Sequence, residues 1–485
     1  MIMLNREGTE PLYEQVFAGL KEQIITGKWK EGERLPATRT LAAELAVSRN
    51  TIDQAYGQLC AEGYITGRRG SGYYINRLED VLPDGRTLPL SENSRTKTAW
   101  LQESLSDILP YSWQKHCRYN LEYGSIHTDD FPHSLWKKML NRALLDAPDT
   151  IHTAYGNRDG IKELREELAR YLIRSRGLNC TPEQIITGSS TQQLLQMASA
   201  MLQTACGVSC FAVENPGFQT VRRVLELQNS HVLPIPVEDD GISVESLRKT
   251  SARAIYITPS HQFPSGAVMP VRKRLQLLQW AQETDSFILE DDYDSELRYG
   301  SMPIPALQGL CNNDTVLYFG TTSKAFAPTV RIAYMVLPNR LLSVYDALYA
   351  DFKCTVPELY QYAFALFMKE GHWERHLRRV LTRNRRKHDL LVKLLEQHLG
   401  SDFDIKGKGG GLHLILEAKG DISEQELLQQ AFDADVGVYP VSCYYTVPPS
   451  GRAQIMLGFA SLEAGQITDA VTRLQHAFST NCQRL

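Results

Sequence analysis

Apolar residues recur at every fourth position in the first ordered stretch of the chain. Leu12, Val16, Leu20 and Ile24 in PLYEQVFAGLKEQIIT mark one face of a helix, and Gly27 and Gly32 close it in a turn. A second helix is expected after Pro36, with Thr38 as its N-cap and Leu41, Ala42 and Leu45 turned inward. Ser48 caps a third, running from Arg49 to about Glu62, whose apolar positions are Ile52, Ala55, Tyr56 and Leu59. Two short strands, Gly63-Tyr64-Ile65-Thr66 and Gly72-Tyr73-Tyr74-Ile75, then flank Gly67-Arg68-Arg69-Gly70-Ser71. The order is helix, helix–turn–helix, wing.

From residue 77 to about 113 the period is lost. That stretch is polar and rich in Pro, Asp and Ser, and reads as a tether. Beyond about residue 115, apolar strands alternate with amphipathic helices, which predicts an α/β domain with a largely parallel sheet. Strands are expected at Gln184–Thr187, Cys210–Val213, Ala254–Ile257, Ser286–Leu289 and Val316–Phe319. Each ends in polar, Gly or Pro residues, and ligands bind at that carboxyl edge in such sheets. The predicted division is 1–76, a DNA-binding module; 77–113, a linker; and 114–485, the large domain.

Composition changes this picture little. A chain of 485 residues exceeds one core, and 43% hydrophobic with 22% charged residues is ordinary for a globular protein. The formal charge of -4 means that any DNA contact depends on a local cluster of cations. Among nine cysteines the closest pair, Cys206 and Cys210, lacks a second ligand pair, so no metal site is expected. With no apolar run of about 18 residues and no signal segment after Met1, the expected location is cytoplasmic, without a membrane partner.

Chemistry enters at two places. A helix–turn–helix reads DNA with the start of its second helix, here Ser48, Arg49, Asn50 and Thr51, and Arg39 and Arg69 extend that footprint. The bland alternative is a capped helical module that binds protein. In the large domain, Lys324 follows Gly320-Thr321-Thr322-Ser323, precedes Arg331, and comes after Glu290-Asp291-Asp292-Tyr293. Such a set holds pyridoxal 5′-phosphate: the Lys forms a Schiff base, a carboxylate partners the pyridinium nitrogen, and hydroxyl and guanidinium groups take the phosphate. The helix opening at Gly188-Ser189-Ser190-Thr191 offers N–H groups to a phosphate, and Thr321 and Arg331 would complete the pocket. Phe218 is read as core or as a lid on the ring. Asp291 alone would be a cap or a solvated acid; with Lys324 at the next strand's end it is the ring's partner, and Tyr293 is placed to donate to the ring oxygen.

LPATRTLAAELAVSRNTIDQAYGQLCAEGYITGRRGSGYYI resembles the winged helix of the GntR regulators, which implies DNA contacts at Arg39, Ser48, Arg49, Asn50, Thr51, Arg69 and Gly70. Asp53 departs from members with a basic residue there. Residues from about 120 to 480 resemble a fold type I aminotransferase of the MocR/GabR-like subfamily. The motifs are Ala154-Tyr155-Gly156, Thr258-Pro259-Ser260-His261-Gln262, EDDYDSELRY from Glu290, and Ser323-Lys324. The resemblance implies an α/β fold with a smaller C-terminal α+β subdomain. It also implies Lys324 as the cofactor lysine, Asp291 and Tyr293 at the ring, and Ser190, Thr191, Thr321 and Arg331 at the phosphate. Tyr155 would serve the partner subunit of a homodimer, and Arg452 would take a ligand carboxylate.

Two departures stand out. Phe263-Pro264-Ser265-Gly266 replaces an Asn-Pro-x-Gly, which shifts a ring-oxygen contact to Gln262 at most. Gln219-Thr220 stands where some relatives that sense γ-aminobutyrate carry an Arg, so that ligand is not expected. The reading is a DNA-binding transcriptional regulator that senses the cofactor, an amino compound or both. The rival is an active aminotransferase with an accessory DNA-binding domain.

Overall fold

The computed structural model describes residues 4–5, 11–68, 70–77, 116–299, 304–310, 314–446 and 451–479. They fall into two compact units, divided after Ile108. Arg69 and nearly all of the expected linker lie outside the described residues.

In the first unit α1 (Leu12–Ile25), α2 (Thr38–Glu44) and α3 (Arg49–Ala61) precede the antiparallel pair β1 (Ile65–Arg68) and β2 (Gly72–Ile75). Val16, Leu20, Ile24, Leu41, Ala42, Ile52 and Leu59 meet in one core with Ile65 and Ile75. Tyr56, buried among them, donates its hydroxyl to the Pro36 carbonyl at 2.9 Å. Thr38 does not cap α2. It is the helix's first residue, and Ala37 stands at the cap without a side-chain bond. The helix starts one residue early, yet Leu41 and Ala42 still reach the core.

The second unit is built on an eight-stranded sheet in the order β4-β11-β10-β9-β8-β5-β6-β7. These are β4 (Ile185–Gly188), β5 (Cys210–Asn215), β6 (His231–Glu238), β7 (Gly241–Ile242), β8 (Ala254–Ile257), β9 (Phe287–Asp292), β10 (Val316–Thr321) and β11 (Ala333–Val336). β6, β5, β8, β9 and β10 run parallel; β11 is antiparallel to both its neighbours. Strand side chains alternate between faces. Tyr256, Leu289 and Phe319 face one apolar layer, and Ile255, Ile288 and Val316 the other.

Helices cover both faces. α4 (His133–Asp146), α5 (Lys162–Arg176), α6 (Thr191–Cys206), α7 (Gln219–Leu227), α8 (Val271–Glu283), α9 (Asn339–Leu348) and α10 (Glu358–Lys369) belong to the large subdomain. α11 (His372–Leu399), 28 residues long, leaves it. Trp373 at one end lies in the core with Phe326 and Phe364, while Leu391, Leu395 and Leu399 lie in the core of a smaller subdomain.

That subdomain is an antiparallel sheet of β12 (Phe403–Lys406), β13 (His413–Ala418), β15 (Tyr439–Pro440) and β16 (Gln454–Gly458). α12 (Glu424–Asp433) and α13 (Ala464–Ser479) cover it. Early in the second unit, β3 (Tyr119–Asn120) pairs with β14 (Val436–Gly437). Among the described residues no helix is long and apolar enough to cross a membrane.

Candidate functional site

A cavity of about 270 Å³ opens at the carboxyl ends of β8, β9 and β10. Lys324, Asp291, Tyr293, Phe218, Thr321 and Arg331 line it, with Ser190 and Thr191 at the start of α6. These eight expected residues, drawn from five segments of the chain, share one space.

The three acids of Glu290-Asp291-Asp292 are separated by strand alternation. Glu290 points away from the cavity and accepts from the backbone N–H groups of Leu307 (2.8 Å) and Gln308 (3.2 Å). Asp292 forms a buried ion pair with Arg176 at 2.6 Å and also accepts from the Tyr318 hydroxyl. Asp291 turns to the cavity. The Tyr256 hydroxyl donates to its Oδ2, while Oδ1 is buried without a hydrogen-bond partner among the described residues. Burial, reinforced by Asp292 and Asp294, raises its pKa to about 7 despite the Tyr256 hydrogen bond. A buried bare carboxylate oxygen at a cavity wall is a site for a cationic N–H.

Lys324 follows β10, and its Nζ lies 4.1 Å from the centre of the Tyr123 ring. Burial lowers the ammonium's pKa; Asp294 and Asp291 offset this in part. Gly124 explains the close approach, since with φ of +101° a methyl there would sit 2.8 Å from Nζ.

One end of the cavity is rich in hydroxyls. Ser190 caps α6 by accepting from the Gln193 N–H at 3.1 Å, and Thr191 and Gln192, in the first turn, line the cavity with it. The Thr321 hydroxyl donates to Ser323 at 3.0 Å, and Arg331 adopts a left-handed conformation with φ of +56°. Phe218 stacks on Phe263, ring centres 3.9 Å apart, and meets Tyr293 edge-on.

Tyr293 is held by His261, to which no local motif assigns a role. Its hydroxyl donates to the His261 carbonyl (2.9 Å) and lies 3.0 Å from His261 Nδ1. That Nδ1 is 2.8 Å from Asp294 Oδ2; a carboxylate only accepts, so Nδ1 carries the proton. Gln262 is not free to reach a ring oxygen, because its amide bonds to the Pro216 carbonyl and to Ser265. Glu214, fully buried at the end of β5, accepts from Thr258 at 2.6 Å, and burial raises it to about 7.

Two expected residues are not brought to this cavity. Arg452 is exposed on the smaller subdomain and pairs with Asp404 at 3.2 Å. Among the described residues, the cationic side chains lining the cavity are Lys324 and Arg331. Tyr155 is 91% exposed, a large aromatic standing clear of its own subunit.

In the first unit, Ser48 accepts from the Thr51 N–H at 3.1 Å and caps α3. Arg39, Ser48, Arg49, Asn50 and Gly70 are exposed. Asp53 lies one turn from Arg49 and pairs with it at 3.4 Å, so the acid that departs from other winged helices restrains the leading arginine.

Residues 12–75 match the bacterial regulatory proteins of the gntR family, and residues 120–474 match aminotransferase class I and II. The HTH-type transcriptional regulator YdeL of Bacillus subtilis is 34% identical over 480 residues, 98% of each chain. The probable rhizopine catabolism regulatory protein MocR of Rhizobium meliloti is 32% identical, covering 99% of this chain and 96% of that one. The chain belongs to the MocR-like GntR regulators. A likeness of fold places its second unit beside the multiple substrate aminotransferase of Thermococcus profundus, with TM-score 0.69 at 22% identity over 79% of this chain and 95% of that one. The MocR-like chain thus joins a regulator's DNA-binding domain to the fold of an enzyme class that in general works with pyridoxal phosphate.

Proposed function

We propose that this MocR-like regulator holds pyridoxal 5′-phosphate at Lys324 and reports an amino compound to operator DNA as a cytoplasmic homodimer. The observation that carries the reading is the bare, buried Oδ1 of Asp291 in the same cavity as Lys324 and the hydroxyl–arginine cup. Pyridoxal phosphate, when bound, supplies an aldehyde for amines and a ring that withdraws electrons once its nitrogen is protonated.

The chain's residues fit each part of that group. Burial favours the neutral, nucleophilic amine at Lys324 Nζ. Asp291 Oδ1 would hold the proton at the ring nitrogen, and Tyr293, which lines the same cavity, would serve the ring's oxygen. Ser190, Thr191, Thr321 and Arg331 would bind the phosphate, and Phe218 would cover the ring. The exposed Tyr155 suits a contact with the neighbouring subunit's cup. With Arg331 on the phosphate and Arg452 at Asp404, no side-chain cation among the described residues remains in the cavity for a ligand's carboxylate. That favours an effector recognised by its amine. Ser48, Arg49, Asn50 and Thr51 would enter the major groove, with Arg39, Arg69 and Gly70 at the flanks.

A visible spectrum of purified protein with added pyridoxal phosphate, titrated with amines and amino acids, tests this. A cofactor band that shifts stably with one compound, without keto-acid product, supports the sensor. Turnover to a keto acid would favour an aminotransferase, and no band after adding the cofactor would end the proposal.

A further inference from the structure

The chain's strongest concentration of positive charge belongs neither to the cofactor cavity nor to the winged helix. Seven Arg and Lys, with no Asp or Glu, occupy the thirteen residues from Arg375 to Lys387 on α11. Arg379, Thr382, Arg383, Arg386 and Lys387 follow the i, i+3, i+4, i+7, i+8 spacing of one helix face, a stripe that ordinarily packs as core. Here that face lines a cavity of about 440 Å³, closed on its other side by Glu463 and Ala464 at the start of the 16-residue α13.

Arg379, Thr382 and Arg386 on this face are exposed and Arg383 is half-buried, but the stripe ends on a buried cation. Lys387 is 5% exposed, and its ammonium has a carbonyl, that of Ala460 at 2.8 Å, as its hydrogen-bond partner. Burial lowers its pKa, and the carboxylates of Asp130, Glu463 and Asp129 offset that only in part while Arg383 adds to it. Two of those acids already have partners at the cavity's own wall. Asp130 pairs with Arg383 at 2.8 Å and Glu463 with His127 at 2.7 Å. Arg379 donates to the Asp130 carbonyl at 3.3 Å. Arg386 and Lys387 therefore lack a carboxylate partner among the described residues, next to the N-terminal end of α13, whose dipole also favours an anion.

We infer that this cavity is a second anion site, which takes a small phosphorylated compound at the junction of the two subdomains. Its guanidinium groups suit the several oxygens of a phosphate or diphosphate, and its size suits a compact ligand better than a duplex. The site also touches the cofactor region. His376 lies 3.3 Å from Arg379 and 2.7 Å from the carbonyl of Ala325, the residue after Lys324.

The test is calorimetric titration of full-length protein with inorganic pyrophosphate. Three variants are compared: Arg379→Gln with Arg386→Gln, Thr382→Glu, and Arg331→Gln in the proposed cofactor cup. Binding that falls at least tenfold in the first two but persists in Arg331→Gln supports the site. Because that pattern does not depend on cofactor binding, it stands apart from the proposed function. Binding lost only in Arg331→Gln would assign pyrophosphate to the cofactor cup and overturn the inference, as would no binding at all. A DNA flank would appear differently. Without pyrophosphate binding, the double variant would flatten the salt dependence of operator binding by about two units of log–log slope, and the small-anion site would be refuted.

Discussion

The hydroxyl of Tyr256 binds one oxygen of Asp291 and leaves the other buried and bare at the cavity wall. The two residues sit on neighbouring strands and face the same layer. Tyr256 thereby fixes the carboxylate's orientation before any ligand arrives. Asp291→Asn should cost the cofactor about 1.5–3 kcal/mol, the worth of a charge-assisted hydrogen bond, or roughly ten- to a hundredfold in affinity. Titration of the visible band measures this, and an unchanged affinity would remove Asp291 from the ring nitrogen.

Asp291 also predicts a pH dependence. Its folded pKa, about 7, lies above the ordinary carboxyl value of 3.8, so the cofactor-free folded state holds a proton that the unfolded chain has lost. Stability from this group is full below about pH 4, falls as pH rises towards 7, and is level above that. Glu214, Glu290 and Glu296, each raised to about 7 by burial, add to the same trend. Melting temperatures of wild type and Asp291→Asn should therefore diverge between pH 5 and 8 in favour of the variant. Parallel curves would show that Asp291 does not titrate in that window.

Lys324→Ala should abolish the cofactor's visible band while leaving the fold intact, because among the described residues the buried amine has no hydrogen bond or ion pair to lose. A band that survives dialysis would refute the assignment. Gly124→Ala should reach a similar end by crowding. The added methyl meets Nζ at 2.8 Å at a backbone angle that L residues rarely adopt, a strain of about 1–3 kcal/mol. Loss of cofactor uptake without unfolding, by visible absorbance and circular dichroism, is the expected result.

At the winged helix, Arg49→Ala should weaken operator binding by about 1–3 kcal/mol without altering the cofactor spectrum. Asp53→Asn should strengthen it by releasing Arg49 from its exposed pair. Ser48→Ala removes a helix cap and should lower stability by about 1 kcal/mol. Fluorescence anisotropy with operator DNA separates these effects, and equal affinities across the set would move the footprint away from α3.

Much of this was legible in the sequence because the chemistry collects where strands end. The apolar runs located β4, β5, β8, β9 and β10, and hydroxyl, acid and Lys residues follow or close several of them. β6 has no clear period because Pro234 and Pro236 interrupt its pattern; β7 pairs with it only at Val237 and Glu238, so at both prolines β6 is an edge strand, where a missing donor costs little. Tyr123, Gly124 and Tyr256 went unassigned, since their roles come from approach across more than thirty residues of chain and not from a local motif. Arg452 was read from its motif alone, and only the fold reveals Asp404 as its nearer partner.

The alternation along β9 has a consequence for how this gene can drift. Asp291 faces the cavity because Glu290 and Asp292 face the other way, each with its own buried partner. Inserting or deleting one residue between Phe287 and Asp292 would exchange those faces, aiming two acids at the cavity and stranding Arg176. Variation in this strand is thus confined to substitution, and changes of length must accumulate in the loops at its ends.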